Sequence, residues 1–360
     1  MKTTAVLRAL AATALLTVAC GTTTGSGTAN QTLATPTVAS SPTPKGVCDS
    51  AHRCLALVTL RGSNAIVVRD ITDINHPETV GTLPVPNQIP RFVSATDVSD
   101  VDDTSLYRMP LSGSPKTVVA KAAISMGLFA WTSDGKTAGY VTSDGLHLIT
   151  AGRDVKFGEP LPTSDGYGCE GQECADSWDS RLAFSPDDAY VSMLVLSGPV
   201  TGFKLWTSDG KLLTSPTTQA PTMSVWSGHS FYFRDTGGVE VWRDGATSRF
   251  LAGVQWVRPK ASPAGGLIVY EERDRTGLAH VYVVDTVSNK VKELKAGRSE
   301  PVFLTSRYVW YAGERLCLPA DQCAVTSTIP TGKTYLYDLQ TGVESTSIIT
   351  GVYDVWPHAA

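Results

Sequence analysis

Beyond residue 50 the chain alternates short apolar runs with polar turns, and the runs are too short and too rich in β-branched and aromatic residues for helices. Phe129-Ala130-Trp131, Thr137 to Thr142 and Leu146 to Ile149 are split by Ser133-Asp134-Gly135 and Ser143-Asp144-Gly145. Leu182-Ala183-Phe184, Tyr190 to Leu196 and Phe203 to Trp206 repeat the arrangement, with Ser185-Pro186-Asp187-Asp188 as the first turn. Glycine and aspartate in those turns supply the tight reversals that antiparallel strands need. No segment after the N-terminus carries a helical period, so the pattern predicts an all-β protein.

The runs recur about every 35 to 45 residues, the size of one four-stranded propeller blade. A third strand rich in Tyr, Trp and Val marks each unit: Ser105 to Arg108, Gly202 to Trp206, Val239 to Arg243, His280 to Asp285 and Thr334 to Asp338. Lys290 to Leu294 follows as an outer strand. Units start near residues 55, 89, 125, 180, 222, 254 and 299, which predicts a single β-propeller of seven blades. A six-bladed ring is the alternative, because residues 89 to 120 form the least regular unit. The first unit lacks a convincing inner strand. The C-terminal stretch 351–357 (Gly351-Val352-Tyr353-Asp354-Val355-Trp356-Pro357) matches Gly253-Val254-Gln255-Trp256-Val257-Arg258-Pro259 and supplies one. Closing the ring in this way removes a sheet edge.

Composition changes the picture mainly at the N-terminus. Lys2 and Arg8 precede an uncharged run from Ala9 to Ala19, about half the roughly 20 residues that span a bilayer. Residues 1–19 are therefore expected to be an export signal. Leu16-Thr17-Val18-Ala19-Cys20 resembles the lipobox of bacterial lipoproteins, in which the Cys20 thiol takes a diacylglycerol and its amine an acyl chain. Two or three chains, at about 0.8 kcal/mol per buried CH2, hold a protein to a membrane. Residues 20–46 are almost wholly Gly, Thr, Ser, Ala and Pro and are expected to form a disordered tether before a propeller over 47–360. The expected location is the extracytoplasmic side of a cell membrane, with the lipid as the membrane contact.

Seven cysteines is an odd count. Assigning Cys20 to lipid leaves three close pairs, Cys48 and Cys54, Cys169 and Cys174, Cys317 and Cys323, expected to be disulfides in an exported chain. Zinc is the competing reading of the thiols, but no Cys-x-x-Cys or nearby histidine cluster supports it.

Trp131-Thr132-Ser133-Asp134-Gly135-Lys136 and Phe184-Ser185-Pro186-Asp187-Asp188 resemble the W-S-P-D-G element of TolB-like and WD-like periplasmic propellers. Asn64 to Ile71, with His76-Pro77 and Val80-Gly81, is similar to the blade pattern of a related surface-protein repeat. The resemblance runs from about residue 55 onward and implies the propeller fold. It says little of activity, since such blades serve many functions.

Catalytic signatures are missing from the sequence. There is no Gly-x-Ser-x-Gly elbow, no dinucleotide or P-loop glycine pattern and no paired-histidine metal spacing, so no cofactor, no metal and no catalytic residue is assigned. A net charge of -4 without a basic block argues against nucleic acid. Asp97, Asp100, Asp102 and Asp103 are read as a solvated turn, with calcium as the lesser alternative. Ser164 to Asp176, containing Glu170 and Glu173, is a long acidic loop braced by Cys169 and Cys174, read as decoration or partner recognition.

Propeller geometry nominates a site. Inner strands line a central channel, and the loops leading into them form a funnel where ligands sit. Ligand-binding candidates there are Arg91, Trp256, Arg258, Lys260, Arg298, Glu300, Trp356 and His358, with Trp131 and Trp226 beside them. Aromatic rings next to cations suit a carboxylate or a sugar. The bland reading is that the tryptophans pack between blades and the cations face water. The expected role is a non-enzymatic scaffold binding an envelope protein, peptide or glycan. The alternative is a funnel enzyme of lyase, glycosidase or quinone-dependent dehydrogenase type.

Overall fold

A computed structural model describes residues 48, 52–59, 65–83, 90–102, 104–112, 115–124, 128–157, 182–197, 200–214, 217–218, 223–321, 323 and 327–358. Cys20, Cys169, Cys174 and the loop 164–176 lie outside the described residues. Among the described residues, no helix is long and apolar enough to cross a membrane.

Seven antiparallel sheets follow one another around a ring. Blade 1 holds β1 (Leu55–Thr59), β2 (Ile66–Asp70) and β3 (Glu78–Leu83). Blade 2 holds β4 (Arg91–Phe92), β5 (Asp97–Val101), β6 (Ser105–Pro110) and β7 (Thr117–Lys121). Blade 3 is β8 (Phe129–Trp131), β9 (Thr137–Thr142), β10 (Gly145–Thr150) and β11 (Arg153–Phe157). Blade 4 is β12 (Leu182–Phe184), β13 (Tyr190–Ser197), β14 (Val200–Thr207) and β15 (Leu212–Thr214), with the short β16 (Thr217–Thr218) also on β14.

Blade 5 is β17 (Ser224–Ser227), β18 (Ser230–Asp235), β19 (Gly238–Arg243) and β20 (Ala246–Ala252). Blade 6 is β21 (Val257–Ala261), β22 (Leu267–Arg273), β23 (Ala279–Asp285) and β24 (Val291–Ala296). Blade 7 is β25 (Arg298–Phe303), β26 (Tyr308–Leu316), β27 (Thr328–Asp338) and β28 (Val343–Thr346). The last strand, β29 (Val352–Trp356), pairs antiparallel with β1, Leu55 opposite Trp356 and Val58 opposite Val352, as the innermost strand of blade 1. The six-bladed alternative falls, because residues 91–121 build a complete blade.

Each blade buries both faces, since each packs on two neighbours, and strand alternation divides the side chains between them. In β1, Leu55 and Leu57 enter the core shared with Phe92 and Val98 of blade 2, while Ala56 and Val58 enter the core shared with Leu304 and Trp310 of blade 7. In β22, Ile268 and Tyr270 face blade 5, and Val269 faces Phe303 and Tyr311 of blade 7. Seven such apolar cores lie between successive blades, and none fills the hub. That leaves a channel bounded by the seven inner strands.

Among the described residues, two disulfides brace the ring's margins. Cys48–Cys54 secures the segment entering β1, and Cys317–Cys323 closes the tip of the long β26–β27 hairpin. At that tip Arg315 forms a two-pronged pair with Asp321 at 2.6 and 2.8 Å. In the acidic run, Asp103 lies outside the described residues and the other three carboxylates are set apart. Asp97 accepts from Arg108 at 3.0 Å, Asp100 is buried on the other face of β5, and Asp102 takes the Thr104 amide. Alternation along β5 puts Asp97 and Asp100 on opposite faces of the blade.

Candidate functional site in the central channel

A cavity of about 290 Å3 occupies the hub and touches all seven inner strands. Its walls are mainly apolar, from residues such as Phe92, Phe129, Phe184, Val225 and Phe303, most of them buried to their edges. The charged groups on it are Arg91, Arg258, Lys260 and Asp354, joined by His358. Three cationic side chains thus meet one carboxylate, against a chain that is acidic overall. Ser133, Ser185, Pro263, Pro357 and His358 lie just past the ends of their inner strands, so the lining is weighted toward the end where those strands leave the hub.

Asp354 is the acidic landmark. Its Oδ2 accepts the Phe92 amide from the neighbouring blade at 2.7 Å and faces His358 Nε2 at 3.2 Å. Burial alone would raise this carboxyl. The charge and hydrogen bond of His358, the nearby Arg91 guanidinium and the Phe92 amide outweigh it, so the group sits below the usual carboxylate range. It is therefore an anion already engaged by its own surroundings.

Arg258 is aimed by the backbone. The β21–β22 register shifts between Val257 and Lys260, and Arg258 sits in that bulge at φ 50°. The same bulge recurs one blade on, where Glu300 stands at φ 57° between Ser299 and Val302. In both, a proline follows. A side chain held at positive φ in a bulge is pointed where a regular strand would not send it. Here the two bulges bracket Glu271 of β22, which is fully buried. Its Oε2 accepts from Arg258 Nη1 at 3.0 Å and from the Glu300 amide at 3.1 Å. Arg273 Nη2 lies 2.9 Å from Oε1 but out of line for a hydrogen bond. Burial pushes the Glu271 carboxyl up, with Arg258 and Arg273 pulling the other way.

The sequence candidates separate into two groups. Arg91, Trp131, Trp226, Arg258, Lys260 and His358 line the cavity. Trp256 does not: it is wholly buried between blades 5 and 6, donating Nε1–H to the Met223 carbonyl at 3.1 Å. Trp356 packs toward the blade 1–blade 2 core. Arg298 turns outward along its own blade, 3.8 Å from the centre of the Tyr335 ring, and pairs with Glu344 at 2.9 Å. Glu300 is exposed and reaches the network through its amide alone.

Asp354 was not among the candidates. A signal for it stands in the internal repeat: aligned with 253–259, Asp354 occupies the position of the buried Trp256, a charge where the sister unit keeps an aromatic. Lys260 and His358 are sister positions too, and both reach the cavity. Among the described residues, one trio of potential metal-holding side chains is close enough to share an ion, Cys317, Asp321 and Cys323, and its sulfurs are joined as a disulfide.

No protein-family profile and no curated protein matches this chain. Solved structures do. An oligogalacturonate lyase in complex with manganese aligns at 10% identity over 82% of this chain and 84% of that one, with a TM-score of 0.52. A prolyl endopeptidase aligns at 13% identity and a TM-score of 0.51 over 82% of this chain, which spans about half (49%) of that chain. TolB from Acinetobacter baumannii aligns at 14% identity over 81% of this chain and 78% of that one, with a TM-score of 0.42. At these identities the likeness is one of fold: the chain is a seven-bladed β-propeller.

Proposed function

We propose that this protein is a lipid-anchored, extracytoplasmic binding module whose propeller channel takes an acidic ligand. The observation that carries the reading is the hub cavity, whose lining brings Arg91, Arg258 and Lys260 together with one carboxylate, Asp354, while Arg258 also holds Glu271 behind the wall. Cations outnumber carboxylates on the lining, so an incoming anion would meet a net positive surface where an apolar guest would gain nothing from it. Cys20 at the end of an export signal, followed by a Gly/Thr/Ser/Pro tether, supports anchoring outside the cytoplasm. The fold does not choose between binding and catalysis, since enzymes share it.

The test is capture from envelope extract with the wild type beside Lys260→Gln and Arg91→Gln. Partners retained by the wild type and lost by both variants support a channel ligand. Partners retained equally by all three count against it.

One observation favours the enzyme alternative. Asp354 beside His358 at 3.2 Å, with Tyr353 also on the cavity, is a carboxylate–imidazole pair of the kind that moves protons. On that reading the protein is a funnel enzyme of lyase, glycosidase or quinone-dependent dehydrogenase type. Turnover of such a substrate that His358→Gln abolishes would establish it.

A further inference from the structure

We propose that His280 is a pH-dependent clasp that sets how firmly the disulfide-closed β26–β27 hairpin of blade 7 is held against blade 6.

The hairpin outgrows its blade. β25 follows β26 only as far as Gly313, opposite Arg298, and β28 follows β27 only over Tyr335 to Asp338. Beyond those points Arg315 pairs with Ile329 and Leu316 with Thr328, and among the described residues no third strand flanks them. Two strands alone are marginally stable, so the extension depends on outside support. At its tip the support is Cys317–Cys323 and the Arg315–Asp321 pair, beside the exposed Leu318. At its base the support is the β22–β23 turn of blade 6. Arg273 Nη1 donates to the Gly277 carbonyl of that turn at 2.8 Å and to Glu314 of the hairpin at 2.9 Å. Gly277, at φ 85°, lies so close to the hairpin that a Cβ there would collide with the Ser327 hydroxyl. The Ser327 carbonyl in turn accepts the Cys317 amide at 2.9 Å.

His280 holds the turn from the other side. Asp274 Oδ1 accepts the Thr276 and Leu278 amides at 2.8 and 3.1 Å, and its Oδ2 faces His280 Nε2 at 3.3 Å. The second ring nitrogen, Nδ1, faces Glu293 of the outer strand β24 at 2.9 Å. A neutral imidazole has one N–H, so it donates to one carboxylate and sets a lone pair against the other; only the doubly protonated ring satisfies both. Tyr282 stacks alongside, and Glu272, opposite on β22, is turned to the Gln255 amide at 2.8 Å. Burial opposes the charge on the ring, but Glu293 and Asp274 outweigh it and hold the second proton above the usual imidazole range. The clasp is therefore closed in acid and opens as pH rises through that raised value. The shorter contact, to Glu293, keeps the remaining proton, and Asp274 is released. Loosening of the turn then weakens the base of the hairpin.

Hydrogen exchange of the full chain in detergent, read as protection factors at about pH 5.5 and about pH 8.5, tests this on the turn 274–278, on β26 with β27, and on β18 with β19 as a reference. In the wild type, protection of the turn and of the hairpin should fall together, about fivefold, while the reference strands hold. In His280→Gln both segments should show the lower protection at either pH, with thermal unfolding confirming that the variant is folded. If the variant does not fold, the wild-type profile decides alone. Unchanged protection in the wild type overturns the proposal. So does a fall confined to the turn, a fall shared by the reference strands, or a fall of equal size in His280→Gln.

Discussion

The indole of Trp131, on the inner strand of blade 3, donates its Nε1–H to the Ser99 hydroxyl of blade 2 at 2.9 Å. The Ser99 hydroxyl in turn lies 3.4 Å from the carbonyl of Arg91, a channel residue. The arrangement repeats two blades on, where Trp226 donates to Ser192 at 2.9 Å and Ser192 reaches the Ala183 carbonyl at 3.3 Å. These tryptophans border the cavity, but their polar ends are ties between blades.

Removing the acceptor should expose that role. Ser192→Ala leaves a buried indole N–H without a partner, and the expected cost is about 1–3 kcal/mol. Ser99→Ala should cost less, because Trp131 is only half-buried whereas Trp226 is buried. Denaturant unfolding of the two variants checks both the loss and its order.

Glu271 is a buried tie across the blade 6–blade 7 boundary. Glu271→Ala strands Arg258 and the Glu300 amide, and breaking such a pair costs about 3–5 kcal/mol. Glu271→Gln keeps an acceptor for the amide and should cost clearly less. Comparison of the two midpoints separates charge from hydrogen bonding.

His280 should make stability depend on pH. Its Nδ1 faces Glu293 at 2.9 Å and its Nε2 faces Asp274 at 3.3 Å, with Tyr282 stacked alongside and Glu272 opposite on β22. Burial pulls the imidazole down, but Glu293 and Asp274 outweigh it, so its pKa is raised. A group raised in the folded state contributes stability in full below its unfolded value, about 6.5, and loses it as pH rises through the folded value. Unfolding of the wild type should therefore show a decline in stability above about pH 6.5 that His280→Gln lacks.

Alkylation of the unreduced protein should find no reactive thiol at Cys48, Cys54, Cys317 or Cys323, the two pairs bonded in the structure. Each closes a loop with a sequence separation of 6, so reduction should cost about 2 kcal/mol per bridge. The third expected pair, Cys169 and Cys174, is checked by the same mass spectrum.

Much of the ring was legible because blade strands advertise themselves. Turns such as Ser133-Asp134-Gly135 punctuate the apolar runs, and the match between 253–259 and 351–357 pointed to the place of β29. The channel was harder to read for a physical reason. Both faces of an inner strand look apolar in a propeller, so a pattern does not tell a tryptophan buried between blades, such as Trp256, from one bordering the hub, such as Trp226. Arg298 misled for a related cause: its long side chain bends back over Tyr335 to Glu344, a partner 46 residues away that no local spacing reveals. Asp354 is illegible in the sequence because a lone acid in a strand is ordinarily solvated, and only its contact with Phe92, 262 residues distant, turns it inward.

If the hub is an anion-binding site, as proposed, charge reversal at Lys260 should disable it. Affinity of the full chain for its captured envelope ligand should fall at least tenfold in Lys260→Glu, with the unfolding midpoint unchanged and the loss steepening at low salt. Undiminished affinity in a folded Lys260→Glu protein would contradict the account.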